Sequence, residues 1–370
     1  MRANVIRFSL ADPSDVSGLR NAVESGQIKP EQVVCVIGKT HGNGLVNDYT
    51  RGYLSLSLAR VLGAYLGEPP EAVSARVPFV FSGGVEGVLS PHYSVFTIDP
   101  DGHGPSGKSL AVGVAFTREA TPDQIGTQVQ IDQIATAVRE AMAKAGIDDV
   151  ADVHLVQVKG PAFSTADIEY SLRAGKTCLS GKPGELMALG RGASALGVGL
   201  ALGEIEPARA TADRVLSDFG IYSSVASISA GTEIRCNEVI VLGMSERWSG
   251  ELHIDHEPLR DAIDLAGVTR LARRMGFTID PQLSEKDTQT IRAAFVKCEP
   301  QRDGMVRGRA HTMLNDGDID AQRHIRGAVG GMVAGALGET ALFVSGGAEH
   351  QGPYGGGLIA LIAEKPVANA

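Results

Sequence analysis

Three short motifs recur in the same order three times along this chain. Each copy has an apolar run that ends in a lysine, then an Arg-Gly pair that opens a helix of small residues, then a serine motif. The lysines are Lys39, Lys159 and Lys297. They are roughly 120 to 140 residues apart, which is the scale of a domain and exceeds the 20 to 50 residues of solenoid repeats. The order therefore predicts a fold built from three copies of one unit.

The other two motifs mark the same three copies. The serine motif is a serine, a small residue, a glycine, any residue and a glutamate, and an apolar run follows each copy at 93–98, 239–244 and 358–363. An amphipathic helix is predicted before each lysine run, with Leu259, Ile263 and Leu271 on its apolar face in the third copy. We predict an α/β fold with units at residues 1–103, 110–248 and 254–370. The arginine motifs are Arg51-Gly52, Arg191-Gly192 and Arg326-Gly327, and the serine motifs begin at Ser82, Ser229 and Ser345.

The first boundary contains a match to a nucleotide-binding loop. Residues 102–109 fit the pattern GxxxxGK[ST]. That loop requires a following helix whose amide groups reach the phosphates. Here the next residues, 110–116, are typical of a strand, and Pro105 lies inside the loop. We predict a solvated linker with no bound nucleotide.

The second boundary contains two histidines at metal-ligand spacing. His253 and His256 lie within 251–257, a polar stretch predicted to be a connector. No third ligand is evident in the sequence, and we predict two surface histidines.

Composition excludes several classes of protein. The 370 residues carry 34 basic and 43 acidic side chains, so nothing indicates a nucleic-acid partner. No uninterrupted apolar run reaches the ~18 to 20 residues of a membrane span, and we see no signal peptide. The four cysteines form no CxxC pair. We predict a globular protein of the cytoplasm.

The lysines and serines together favour catalysis. A charge at the end of an apolar strand is costly to bury unless it is paired. A single copy would be explained by a lysine reaching solvent from a strand end, but three copies matched to three serines favour a functional role. A desolvated lysine can act as a base, and a serine at a glycine-flanked turn is surrounded by free amide groups. The sequence therefore predicts Ser-Lys dyads. Which dyad reacts stays open, although Ala230 follows Ser229 where Gly83 and Gly346 follow the other two serines.

Three segments resemble one known family. They are residues 81–92 (FSGGVEGVLSPH), 227–231 (SISAG) and 344–353 (VSGGAEHQGP), and they are similar to the cyanuric acid hydrolase/barbiturase family of ring-opening amidohydrolases. The resemblance covers essentially the whole chain. It implies three repeat units around a pseudo-threefold axis that form a single central barrel, with the active site at its centre.

The resemblance also implies roles for individual residues. Lys159 matches the base and Ser229 the nucleophile. A structural divalent cation, Mg²⁺ or Ca²⁺, is implied near the C-terminus, where one carboxylate and several carbonyl oxygens suit a hard ion. Tyr354 stands where a smaller residue is expected. The remaining substrate-binding matches are Lys39, Arg51, Ser82, Gly83, Arg191, Ala230, Lys297, Arg326, Ser345 and Gly346, and the metal-ligand matches are Glu299, Ala348, Gln351, Gly352, Pro353 and Gly356.

The expected activity is hydrolytic ring opening of cyanuric acid to carboxybiuret, which then loses CO₂ to give biuret. Three arginines around a flat ring with three carbonyl oxygens suit this substrate, because the guanidinium fork is planar. Barbituric acid, opened to ureidomalonate, is the alternative substrate, and a non-catalytic small-molecule binding barrel is the alternative function. The resemblance further implies a homotetramer, and no organic cofactor is expected.

Overall fold

A computed structural model of the protein describes residues 1–365, which form three four-stranded sheets and a short hairpin. The first sheet has the strand order β1-β4-β2-β3. Its elements are β1 (Arg2–Ser9), α1 (Ser17–Glu24), β2 (Val33–Thr40), α2 (Thr50–Leu66), α3 (Pro70–Ser74), β3 (Phe79–Gly83) and β4 (His92–Asp99).

The second sheet has the order β5-β8-β6-β7. Its elements are β5 (Ser109–Glu119), α4 (Gln128–Ala145), β6 (Val153–Pro161), α5 (Thr165–Arg173), α6 (Pro183–Leu202), β7 (Ala226–Gly231) and β8 (Cys236–Ser245).

The third sheet has the order β9-β14-β10-β13, and β11 pairs with β12 in a separate hairpin. The elements are β9 (Leu252–Leu259), α7 (Leu265–Arg274), α8 (Glu285–Thr290), β10 (Ile291–Cys298), β11 (Met305–Val306), β12 (Arg309–Ala310), α9 (Ala321–Leu337), β13 (Phe343–Ser345) and β14 (Gly357–Glu364). Residues 366–370, the end of the predicted third unit, lie outside the described residues.

All three sheets share one internal arrangement. In each sheet, the first strand along the chain pairs with the last strand, and the last strand pairs with the strand that contains the lysine. The lysine strand runs parallel to the strand that contains the serine. The strands predicted after the serine motifs are confirmed as β4, β8 and β14. The mixed α/β class predicted from the sequence is confirmed as well.

The sheets enclose one apolar core. Cys35 and Ile37 of β2 join buried side chains of the other two sheets, such as Val158 and Phe295. Val36, between them, packs with α1 and α2 on the outer face. This alternation follows from the two-residue period of a strand. The inner faces thus meet at the centre and the helices cover the outer faces.

The predicted single barrel is not a continuous hydrogen-bonded structure. Among residues 1–365 the strands pair only within each sheet, and the three sheets remain open. Neighbouring edge strands, such as β3 and β7, lie close without pairing their backbones. Side-chain packing in the shared core, rather than a closed ladder, joins the sheets.

Two predictions near the second boundary are wrong. The expected polar connector is edge strand β9, which pairs with β14 over its full length. Leu259, assigned to a helix, ends that strand, and α7 begins only at Leu265. The strand was missed because its solvent-facing positions are charged or polar, while only alternate residues such as Leu252 and Ile254 are buried.

The strand predicted after the nucleotide-loop pattern is confirmed. The segment is followed by strand β5 instead of a helix, and Lys108 forms an ion pair with Asp152. The four cysteines are free, and Cys35 and Cys298 are buried.

Helix α6 has the length and mean hydropathy of a membrane span. However, 61% of the 18-residue stretch of this helix with the highest mean hydropathy is buried inside the protein. Arg191 lies in the middle of this helix, and its guanidinium pairs with the carboxylate of Glu349, which follows β13 of the third sheet. Helix α6 is therefore a core helix of this fold.

Candidate active site

Parallel strand pairing places each lysine beside its serine. Lys39 lies opposite Ser82, and the same register pairs Lys159 with Ser229. The third pair is Lys297 and Ser345. All three ammonium groups belong to fully buried side chains, and the serines are at most 9% exposed. The strand ladder therefore builds three similar Ser-Lys pairs.

The first and third pairs are hydrogen-bonded. Lys39 Nζ donates to Ser82 Oγ at 3.1 Å, and Lys297 Nζ donates to Ser345 Oγ at the same distance. Each lysine also donates to the next carbonyl oxygen, Gly83 O at 3.2 Å or Gly346 O at 2.8 Å. These two serines are therefore held by their lysines.

The middle pair is different. Lys159 Nζ lies 2.5 Å from Phe81 O and 2.7 Å from Glu233 Oε1. Ser229 Oγ is buried and has no hydrogen-bond partner within residues 1–365, unlike Ser82 and Ser345. The structure thus distinguishes Ser229 from Ser82 and Ser345 by its lack of a hydrogen bond among the described residues.

Two of the three arginines are locked by glutamates from another motif copy. Arg326 Nε and Nη2 donate to Glu86 at 2.8 and 2.6 Å. Arg191 donates through the same atoms to Glu349 at 2.9 and 2.7 Å. These bidentate pairs fix the guanidinium planes. They leave Nη1 without a protein acceptor in the described part of the chain, and therefore available to a ligand.

Arg51 follows the same pattern only in part. Its Nε lies 3.9 Å from Glu233 Oε2, while Nη1 donates to Ala230 O at 2.6 Å and Nη2 to Leu45 O at 2.8 Å. Glu233 is the fifth residue of its serine motif, as Glu86 and Glu349 are of theirs. No role was predicted for these glutamates from the sequence, although their repeated spacing was the signal that could have revealed one.

The predicted arginines, the three serines and the residue after each serine line one cavity. The space that the centre of a water molecule can occupy in it measures about 30 Å³. The lysines lie behind the serines and do not reach its wall. A groove of about 910 Å³ opens beside it and shares Met187 with it. The lining residues are Gly44, Arg51, Ser82, Gly83, Met187, Arg191, Ile228, Ser229, Ala230, Arg326, Ser345 and Gly346.

Burial lowers the pKa of all three lysines. The pKa of Lys39 falls well below its ordinary value, because burial is reinforced by the charge of Arg326. The pKa of Lys297 falls to about 7, because burial is reinforced by Arg191. Burial also lowers the pKa of Lys159, but the carboxylate of Glu233 opposes that shift. Lys159 is therefore the lysine with a directly bound counter-ion.

A second acidic residue lies behind Lys159. Glu238 of β8 is opposite Lys159 in the antiparallel ladder, where the other sheets have His92 and Leu358. Burial raises the pKa of Glu238 to about 8, so this side chain is neutral at pH 7. The middle lysine therefore has a carboxyl neighbour that its two counterparts lack.

Glu299, the predicted carboxylate ligand, follows the end of β10 and is joined through its backbone to Gly356, another predicted ligand. Glu299 is 3% exposed, its nearest cation is Arg302 at 3.9 Å, and its amide donates to Gly356 O. Burial and the nearby charge of Glu349 raise the pKa of Glu299 to about 7. A divalent cation would relieve that repulsion. This buried carboxylate beside loop carbonyl groups fits a hard cation.

The same loop holds the backbone before Ser229. Gln351 Oε1 accepts from Ile228 N at 2.7 Å, and its Nε2 donates to Gly347 O at 2.9 Å. Both ends of the Gln351 side chain are therefore hydrogen-bonded to backbone groups. The loop therefore couples the predicted metal ligands to the position of Ser229.

Tyr354, the departure from the family pattern, also has a defined contact. Its hydroxyl accepts from Arg302 N at 3.0 Å, and its ring lies 5.2 Å from that of Phe219. The larger side chain thus packs across the outside of this loop.

A comparison with known protein families identifies the family of this chain. Residues 4–364 match the sequence model of a family described as amidohydrolase ring-opening protein. The chain belongs to this family.

Curated relatives of this ring-opening amidohydrolase family match over the full length. A cyanuric acid amidohydrolase of Bradyrhizobium diazoefficiens is 47% identical, over 97% of this chain and 97% of its own. Another, of Pseudomonas sp. (strain ADP), is 46% identical over 97% of this chain and 98% of its own. A solved structure of cyanuric acid hydrolase is 45% identical, with a TM-score of 0.94, covering 98% of this chain and 99% of that one.

Proposed function

We propose that the protein is a cyanuric acid amidohydrolase, which opens the ring of cyanuric acid to carboxybiuret, the precursor of biuret and CO₂. The observation that carries this proposal is a single cavity with three serines and three arginines on its wall. That arrangement matches a flat ring with three carbonyl oxygens. The names of the relatives in the same ring-opening family support the same substrate.

The three units, at residues 1–103, 110–248 and 254–370, are related by a pseudo-threefold axis through this cavity. The arginine–glutamate pairs support this arrangement because they run in a cycle. Arg51 faces Glu233 of the second unit, Arg191 binds Glu349 of the third, and Arg326 binds Glu86 of the first. A cycle of this kind places the three serines around one centre.

The arginines and the outer serines bind the ring. Nη1 of Arg191 and of Arg326 each donates to a carbonyl oxygen, because Nε and Nη2 are held by glutamates. Arg51 lacks such a bidentate lock, and its movement away from Ala230 O admits the ring into the cavity. The adjacent groove at Met187 is the route of access.

Ser229 attacks one ring carbonyl carbon. Lys159, as a neutral amine, takes the proton from Oγ while the new C–O bond forms, and backbone amide groups beside the serines stabilise the oxyanion. Collapse of the adduct breaks the ring C–N bond, and Lys159 returns its proton to the leaving nitrogen. Water then attacks the acyl-enzyme with Lys159 as base, which frees Ser229 and releases carboxybiuret.

Glu233 controls the base. In the resting site its carboxylate lies 2.7 Å from Lys159 Nζ, and Ser229 Oγ has no hydrogen-bond partner among the described residues. A turn of Glu233 toward Arg51, 3.9 Å away, would reproduce the pairing of its two counterparts and release Lys159 toward Ser229. This gives a physical reason for the middle pair to be the reactive one.

The decisive test is turnover by the purified protein. Cyanuric acid and barbituric acid are supplied separately, and biuret and ureidomalonate are measured by mass spectrometry, with Ser229→Ala as the blank. We expect biuret from cyanuric acid at a rate well above that from barbituric acid. The reverse preference would make the protein a barbiturase, and turnover of neither ring would leave a binding protein.

The pH dependence tests Glu233. Activity should rise with pH as Lys159 loses its proton, since only the neutral amine accepts the serine proton. The Glu233→Gln substitution removes a negative charge that favours protonated Lys159, so the pKa of Lys159 falls. We expect the rising limb of kcat/KM against pH to move to lower pH.

Glu86→Gln and Glu349→Gln are the matched controls. They change the equivalent position of the other two motifs, where the glutamate binds an arginine. We expect them to raise KM and leave the rising limb in place. An unchanged limb in Glu233→Gln would contradict the role given to Glu233.

A structural Mg²⁺ or Ca²⁺ ion is proposed at Glu299 and the carbonyl groups of Ala348, Gln351, Gly352, Pro353 and Gly356. When bound, such an ion neutralises the buried carboxylate and fixes the loop. Removal of the ion with a chelator is expected to lower the melting temperature and also kcat, because the loop holds Ile228 N beside Ser229. Glu299→Gln should make the melting temperature insensitive to the chelator, whereas an equal drop in that variant would place the ion elsewhere.

The homotetramer and the cytoplasmic location remain predictions. Sedimentation of the purified protein measures the first, with four chains per particle as the expected mass.

A further inference from the structure

Two histidines from different sheets meet at the face where the second and third sheets adjoin. His154 lies near the start of β6 and His256 lies in β9. Their Nδ1 atoms are 3.0 Å apart, and Asp255 Oδ1 is 3.5 Å from the Nδ1 of His154. The fold thus places His154 and Asp255 next to His256, and His253 lies outside this cluster.

We propose that His154, Asp255 and His256 form a binding site for a divalent transition-metal ion, with Zn²⁺ as its representative. The ligand atoms of the three side chains all lie within 4.8 Å of one another. Imidazole nitrogen and carboxylate oxygen are ligands that Zn²⁺, Co²⁺ and Ni²⁺ accept, and three protein ligands leave a position for water.

The two facing nitrogens already share one proton. At 3.0 Å between Nδ1 atoms, one imidazole must donate to the other, because two lone pairs would repel. A metal ion takes the place of that proton and binds both lone pairs. Tetrahedral coordination at ~2.1 Å needs the nitrogens about 3.4 Å apart, so only a small movement is required.

Arg274 orients the carboxylate from behind. Its Nε donates to Asp255 Oδ2 at 2.9 Å, and its Nη2 donates to His256 O at 2.5 Å. Asp255 Oδ1 remains on the side of the histidines and accepts from His256 N at 2.7 Å. Hydrogen bonds of this kind to a ligating carboxylate are usual around metal sites.

The site is remote from the serines. His154 is five residues before Lys159 on β6, which separates the two by about 17 Å along the strand. A metal at this position joins β6 of the second sheet to β9 of the third, two strands with no backbone pairing between them. Its expected effect is on stability, since an ion that binds only the folded state raises the melting temperature.

Titration of the full chain with Zn²⁺ tests the proposal. The protein is stripped with a chelator and then kept in excess Mg²⁺, so that oxygen-ligand sites stay filled, and binding is followed by calorimetry. We expect one Zn²⁺ per chain, a rise in melting temperature, and a Co²⁺ absorption spectrum of mixed nitrogen and oxygen ligation. His154→Ala and His256→Ala should each weaken binding at least tenfold and abolish the rise.

His253→Ala is the matched control, because His253 lies on the same strand outside the cluster. It should bind Zn²⁺ like the parent chain, and basal turnover should be unchanged in all three variants. Asp255→Asn provides a milder change in case an alanine variant fails to fold, and it should also weaken binding. Parent-like Zn²⁺ binding by folded His154→Ala or Asp255→Asn, or equal loss in His253→Ala, would overturn the assignment.

Discussion

Ser229→Ala and Lys159→Ala should each reduce kcat by several orders of magnitude. Ser229 Oγ is the one serine hydroxyl of the three with no partner among the described residues, and Lys159 lies beside it in the strand register. Loss of a nucleophile or of its base removes the same step, and such losses are strongly non-additive. The double variant should therefore turn over substrate no more slowly than either single variant, in steady-state assays with cyanuric acid.

The equivalent serines provide the internal comparison. Ser82→Ala and Ser345→Ala each remove one hydrogen bond to the ring, which costs roughly 0.5 to 3 kcal/mol of binding. We expect a raised KM with measurable kcat. Loss of activity in Ser82→Ala or Ser345→Ala, with an active Ser229→Ala, would assign the reaction to another pair. Activity in all three would replace the covalent mechanism with a lysine-activated water.

The Arg326→Gln substitution should produce the largest loss of stability. Arg326 and Glu86 have side chains only 7% and 8% exposed, and the change leaves a buried carboxylate without its main partner. Breaking a buried ion pair from one side costs about 3 to 5 kcal/mol. We expect that decrease in the free energy of unfolding, measured by denaturant titration. The double variant Arg326→Gln/Glu86→Gln should recover much of it, because no unpaired charge remains.

Arg323 is the control for this prediction. It also lies near Glu86, at 3.7 Å, but its side chain is 51% exposed. Exposed ion pairs contribute at most about 1 kcal/mol. Arg323→Gln should therefore unfold almost like the parent chain. An equal decrease in the free energy of unfolding in both arginine variants would mean that burial does not determine the contribution of the Arg326–Glu86 pair to stability.

The pairing of lysine with serine could be predicted from the sequence, because both motifs end apolar runs and the ends of parallel neighbours meet. The repeated order of motifs likewise indicated three similar α/β segments. The arginine–glutamate pairs could not be predicted. Each joins residues of different motif copies, such as Arg191 and Glu349, and nothing in the spacing tells which copy supplies the partner.

Strand β9 shows a second limit of the sequence. Its charged edge positions resemble a solvated connector, and only its pairing with β14 shows that it is a strand. The same misassignment concealed the contact of His256 with His154, which depends on two sheets meeting. The contacts of Glu233 were hidden for a related reason, because its distances to Lys159 and Arg51 differ by little more than 1 Å.

The single free hydroxyl among three similar serines has a statistical consequence. A ring with threefold symmetry can enter the cavity in three rotational orientations that are chemically identical. Under the proposed mechanism each of them presents a carbonyl carbon to Ser229, so no bound orientation is unproductive. Relative to a ligand with only one productive orientation, this degeneracy contributes RT ln 3, about 0.65 kcal/mol, toward productive binding. A single nucleophilic serine would therefore serve all three carbonyl groups of a symmetric substrate.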